Sequence, residues 1–282
     1  MNAAKPVPRA RSALLAVAML VVLLLIWQLA AGSGANQQPA MDPEYAKLMG
    51  AAAKGGSAFP SPAEFGQTLL RHAVSPLHYP GTEQPGIAVH LAYSVARVLV
   101  GFLLAVAVAV PLGFLIGMSP LMRGALDPFV QILKPVSPLA WLPLALYTIK
   151  DAQASAIFVI FICSIWPTLL NTSFGVMRVR QEWLNVARTL QVQPFRLVRR
   201  ILLPAAAPTI LAGMRISIGI GWLVIVAAEM LVGGNGIGFF IWNEWNNLQI
   251  ANIITAILVI GLVGVFLDWT LAAIGQRVSY AE

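Results

Sequence analysis

The chain has 282 residues, of which 59% are hydrophobic and only 10% charged, and its formal net charge is +7. Soluble domains carry about 25% charged residues, so a water-soluble enzyme or binding module is excluded, in line with a mean hydropathy of +0.79. The basic excess does not indicate nucleic acid, because Lys and Arg flank apolar stretches, where they fix membrane orientation.

A helix needs roughly 20 apolar residues to cross a bilayer. The first such run is 13–31, preceded by Lys5, Arg9 and Arg11. It is longer than the apolar core of a signal peptide, about 7–15 residues, so residues 1–31 read as a cytoplasmic N-terminus and an uncleaved first span. Residues 32–86 are rich in Pro and Gly, contain no run long enough to span, and read as an external loop with one amphipathic piece at Pro62–Val74. The core, 87–274, divides into five further segments at about 87–118, 121–149, 152–175, 209–232 and 251–274. A short tail, 275–282, follows. Pro128, Pro135, Pro138 and Pro143 crowd the second of these core segments, so it is expected to be kinked, either to line a cavity or simply to pack. The stretch 233–247 reads equally as a re-entrant piece or as an aromatic belt, given Phe239, Phe240, Trp242 and Trp245.

Six spans with both termini inside place Lys5, Arg9, Arg11, Arg123, the arginines of 176–208 (Arg178, Arg180, Arg188, Arg196, Arg199, Arg200) and Arg277 in the cytoplasm. The other side receives Lys47, Lys54, Arg71 and Lys150. The positive-inside rule selects this orientation.

Motifs for covalent chemistry are missing. There is no G-x-x-x-x-G-K-[ST], C-x-x-C, H-E-x-x-H or G-x-S-x-G, so no catalytic residue is assigned. His72, His78 and His90 have no zinc spacing, and no metal site is expected. The lone Cys163 cannot form an internal disulfide and reads as a packing residue.

The polar exception lies between the fourth and fifth spans. Glu182–Leu190 can form a short helix with Trp183, Ala187 and Leu190 on one stripe and Val186 beside it. A helix this short is marginal in water and needs a partner surface. Pro194 suits the first turn of a second helix. Charges inside spans default to functional hypotheses. Arg97 and Glu229 lie at compatible depth and read as an ion pair. Arg215 has no acidic residue at its expected depth, so it either snorkels to the interface or attracts an anion to a path. Asp127, Lys134 and Asp268 read as interfacial.

The helix-break-helix of EWLNVARTLQVQPFRLVRRILLP resembles the cytoplasmic EAA loop of ABC importer permeases. The stretches SVARVLVGFLLAVAVAVPLGFLIGMSP, DPFVQILKPVSPLAWLPLAL, IFVIFICSIWPTLLNTSFGV and GWLVIVAAEMLVGGNGIGFFIWNEWNN extend the likeness over about 87–274 to permeases of the nitrate, taurine and sulfonate group, and most of all to those of nitrate importers. This resemblance implies an all-α membrane protein of the type I importer permease fold, in the bacterial inner membrane. It implies a non-catalytic subunit that holds no cofactor, with ATP bound by cytoplasmic ATPase subunits. A second permease copy and a periplasmic binding protein complete the implied assembly. Glu182, Trp183, Asn185, Val186, Ala187, Arg188 and Leu190 would form the coupling loop (about 176–208), and Arg215, Arg97, Glu229 and Trp222 are candidates for the translocation path. Two departures stand out: Gln191 replaces the usual glycine, and Asn185-Val186 the usual Glu-Ala. The first costs about 1 kcal/mol if the position is left-handed. Taurine, sulfonate, cyanate or bicarbonate are alternative substrates. A self-contained secondary transporter would show internal repeats, and none is evident; a scaffold without transport would leave the loop unexplained.

Overall fold

The computed structural model describes residues 9–33, 59–79 and 84–278, and the regular elements among them are helices. In order they are α1 (Arg9–Ser33), α2 (Pro62–Val74), α3 (Ile87–Met118), α4 (Pro120–Leu133), α5 (Trp141–Ile149) and α6 (Ala152–Met177). Then come α7 (Gln181–Thr189), α8 (Pro194–Leu197), α9 (Leu203–Val232), α10 (Ile237–Asn246) and α11 (Ile250–Val278). The chain divides into two compact units, Met1–Ser75 with Glu244–Thr255, and Pro76–Asn243 with Ala256–Glu282.

In the first unit, α1 is apolar and exposed along nearly its whole described length. The Trp27 indole donates to Pro60 O at 2.9 Å and its ring meets Phe59 and Phe65. The amphipathic piece expected at Pro62–Val74 is α2, started by a reciprocal cap. Glu64 N donates to Ser61 Oγ while Ser61 N donates to Glu64 Oε2, with Pro62 in the first turn. His72, which the sequence leaves without a role, is buried with its Nε2 at 3.1 Å from Asn252 Oδ1, and Asn252 Nδ2 donates to Glu244 Oε2. The expectations for residues 1–8, for most of the external loop (34–58 and 80–83) and for 279–282 lie outside the described residues.

The second unit is organised around α3, α6 and α9. Lipid gives apolar helices no hydrophobic reason to associate, so close approach and interhelical hydrogen bonds must hold them. Both are present. At Gly113 on α3, a Cβ would stand 2.5 Å from Thr172 Cβ on α6, an approach only glycine permits. Between α6 and α9, the Thr168 and Ser217 hydroxyls meet at 2.8 Å, and Ser217 Oγ donates to Ser164 O at 2.6 Å. Val98, Phe102, Ile160, Trp222 and Ile225 fill one core cluster, and Phe114, Val176, Leu202 and Ile210 another. Pro111, Pro167 and Pro208 lie inside these three helices.

Among the described residues, five helices are long and apolar enough to span a membrane. The segment expected at 121–149 is not one helix: α4 and the piece from Pro138 to Ile149 meet at 82°. Pro135 and Pro138 explain the corner, since each removes a backbone donor where a continuous helix would need one. The described residues supply six spans only if this bent pair crosses the bilayer. The tail expected at 275–282 is helical as far as Val278.

Candidate functional site

Two arrangements in the second unit concentrate polar chemistry, and α7 forms a third. The first is a buried network at one end of α3 and α9. The Glu229 carboxylate is 1% exposed. It accepts from Arg97 Nη1 at 2.6 Å, from the Ser94 hydroxyl at 2.7 Å and from Gly238 N at 3.1 Å. Arg97 Nη1 also donates to Asn235 O, Ile237 N donates to Ser94 Oγ, and Gly236 N donates to His90 Nδ1. These bonds draw the turn after α9 and the start of α10 onto α3. The turn itself needs glycine: Gly233 and Gly234 have φ of +80° and +88°, and a Cβ on Gly236 would run into the Glu229 carboxylate. The expected Arg97–Glu229 ion pair is present. Trp222 is also buried, its indole donating to Ile260 O at 3.0 Å. Arg97, Glu229 and Trp222 are thus enclosed and partnered within the chain, which suits a structural role better than contact with a passing ion.

Arg215 corrects the sequence reading. It is paired bidentately with Asp268 of α11, Nε to Oδ1 and Nη2 to Oδ2. Arg215 lies about 18 Å of helix from the start of α9, and Asp268 about 15 Å from the end of α11. Their side chains are 50% and 47% exposed, in a cleft with Pro208, Leu211, Ile216, Leu271 and Gln276. A half-exposed ion pair is costly against hydrocarbon.

The third arrangement is the loop helix. Glu182 in its first turn and Arg188 in its last both favour the helix dipole. It ends in a Schellman motif: Val192 N donates to Ala187 O and Gln191 N to Arg188 O, each at 3.0 Å. Gln191 occupies the left-handed position at φ 50°, the conformation for which glycine is usual. Replacing Gln191 by Gly should therefore stabilise the fold by up to about 1 kcal/mol, read as a higher melting temperature of the purified chain; a lower one would mean the Gln191 side chain itself is needed. Pro194 opens α8, as its fixed φ allows.

Ala187 is a second correction. It is 4% exposed, turned inward with Leu184 towards the ends of the spans. The face left outside carries Trp183 (45% exposed), Val186 (59%), Leu190 (70%) and Phe195 (75%). Glu182, Asn185 and Arg188 are exposed as well. The stripe expected from the sequence is off by one position: Ala187 holds the loop to its own chain, and Phe195, beyond the expected helix, joins the outer face.

Residues 109–280, more than half of the chain, match the family of the binding-protein-dependent transport system inner membrane component. The chain belongs to this family. It is a multi-pass permease of the inner membrane and a non-catalytic subunit of an ABC importer. It is 41% identical over 264 residues to the nitrate import permease protein NrtB of Synechocystis sp., covering 93% of this chain and 88% of that one. With NrtB of Leptolyngbya laminosa it shares 48% over 198 residues, 70% and 71% of the two chains. The bicarbonate transport system permease protein CmpB of Synechocystis sp. is 43% identical over 208 residues, 72% and 74% of the two chains. Among solved structures, the MetNI methionine ABC transporter in an inward-facing conformation superposes with a TM-score of 0.60 at 13% identity, over 68% of this chain and 95% of that one. The fold is that of type I ABC importer permeases. Within a permease, the three arrangements divide by accessibility: the Glu229 network is closed, the Arg215–Asp268 cleft is open, and the α7 face is open and apolar.

Proposed function

We propose that the chain forms the translocation path of a nitrate importer, as one of two identical copies, and that α7 and the start of α8 dock on cytoplasmic ATPase subunits. A periplasmic binding protein delivers the anion, and ATP is bound and hydrolysed by the partners. The observation that carries the docking reading is the exposed apolar surface of Trp183, Val186 and Leu190 at α7 and of Phe195 on α8, helices too short to stand alone. Nitrate is supported by the names of the NrtB relatives. The CmpB relatives favour bicarbonate as the second reading, and the two anions share planar shape and single charge.

In this reading Arg215 draws the anion while Asp268 keeps the attraction weak, because a path must release what it binds. Uptake of isotopically labelled nitrate by the reconstituted complex, with its binding protein, tests the substrate; nitrate uptake that is absent while bicarbonate enters would replace it. Arg215→Gln alone leaves Asp268 unpaired, so the informative variant is Arg215→Gln with Asp268→Asn. It should assemble normally and slow nitrate uptake about tenfold, the scale of one charge-assisted contact. Normal uptake by that double variant would remove the pair from the path.

Orientation is tested by single cysteines at Ala63 and Gln193 in a Cys163→Ala background, with an impermeant thiol reagent on intact cells. If the bent pair crosses, three spans separate the two positions; Ala63→Cys then labels and Gln193→Cys does not. Labelling of both would mean that the pair turns back within the membrane.

A further inference from the structure

Between α7 and the ends of the spans lies a cleft of about 400 Å³. Its walls come from every element that meets at this joint: Gly117 and Met118 end α3, Arg123 begins α4, Val176 ends α6, Gln181 and Arg188 belong to α7, and Leu202 leads into α9. Its charge is one-sided. Arg123 and Arg188 line it together with the Gln181 amide, and no acidic side chain among the described residues does. Arg123 Nε is shielded from solvent with no hydrogen-bond partner among the described residues. Arg188 donates to Asn185 Oδ1 at 3.4 Å, a contact long enough to leave most of its donors available. A shielded guanidinium N–H without an acceptor is costly, and an anion that reaches it gains a charge-assisted bond.

We propose that this cleft binds a small oxyanion between the Arg123 and Arg188 guanidinium groups, and that its occupation ties α7 to α4. Two guanidinium groups match an acceptor with several oxygens, whether a free inorganic oxyanion or the phosphate of a lipid headgroup at the membrane surface. The cleft lies on the inner face of α7, away from Trp183, Val186 and Leu190, so the ligand and the proposed ATPase contact do not compete for the same side chains. On the reading of this loop as cytoplasmic, the ligand comes from the side on which the imported anion collects, and filling the cleft stiffens the joint through which ATPase motion reaches the spans. With a free anion as the ligand, the importer senses the anion level on its product side.

Binding to the purified chain in neutral detergent depends on neither transport nor orientation, so it can fail or succeed independently of the nitrate reading. Calorimetric titration at constant ionic strength should use sodium nitrate, inorganic phosphate and short-chain phosphatidylglycerol as separate probes. Saturable binding, weakened about tenfold in Arg123→Gln and in Arg188→Gln and partly restored in Arg123→Lys, is expected. Binding of the salts without lipid identifies a free anion as the ligand; binding of the lipid alone identifies a headgroup. No saturable binding of any probe, or equal binding in both Gln variants, overturns the proposal. Should Arg123→Gln fail to purify as a monodisperse chain, Arg188→Gln and the Lys variant decide by the same criterion. Loss of ATPase co-purification in Arg188→Gln with anion binding unchanged also overturns it, in favour of an acidic side chain of the ATPase.

Discussion

Replacing Arg97 by Met should destabilise the chain by about 3–5 kcal/mol, the cost of removing one member of a buried ion pair. The Glu229 carboxylate would remain almost inaccessible, keeping only the Ser94 hydroxyl and the Gly238 N–H as donors. Asn235 O would lose its guanidinium partner, and with it the turn that places α10 against α3. The measurement is thermal unfolding of the purified protein in detergent, followed by loss of the monodisperse peak. Adding Glu229→Gln to Arg97→Met should recover part of the loss, because the uncompensated charge disappears while an oxygen stays to accept from Gly238 N. A single variant that melts with the wild type would show that Glu229 is relieved by another route. A double variant worse than the sum of the two singles would rule out charge as the cause.

The second large effect concerns coupling. Val186→Asp places a carboxylate on the exposed apolar face of α7, and a charge left in a dry contact costs about 2 kcal/mol or more, roughly thirtyfold in affinity. ATPase subunits should fail to co-purify and substrate-stimulated hydrolysis should fall, while the melting temperature of the isolated chain stays that of the wild type. Ala187→Asp should behave differently. Its site is enclosed by the chain's own residues, so it should lower the melting temperature whether or not the ATPase is present. Comparing the two variants separates a failure to dock on the partner from a loop detached from its own spans. Wild-type co-purification by Val186→Asp would remove this face from the interface.

Asp268 and Ala187 show where sequence reasoning reaches its limit. Asp268 lies 53 positions after Arg215, on a helix whose rotation about its axis no local pattern reports; only the packing of α9 against α11 brings the two together. Ala187 is small and apolar, so the hydrophobic stripe of a nine-residue helix can be drawn through either Val186 or its neighbour, and contact with the span ends decides which side is covered. The proline-rich segment reads as kinked from its sequence, yet an 82° corner rather than a bend depends on what α5 packs against. The cleft between Arg123 and Arg188 is invisible in the sequence for the same reason: its two charges come from elements separated by α5 and α6.

By itself the sequence determined that the chain is a membrane protein, where most of its long helices begin and end, which segment is the polar loop, and that Arg97 and Glu229 pair. Apolar length, charge placement and proline are properties of contiguous residues, and bilayer thickness turns them directly into structure. Which face of each helix looks inward, which distant charges meet, and which side of α7 remains open to a partner were decided by tertiary packing. Nearly every residue in these spans is apolar, so composition does not distinguish the faces; the close approach at Gly113, the hydroxyl contacts between α6 and α9 and the buried pair at Glu229 do.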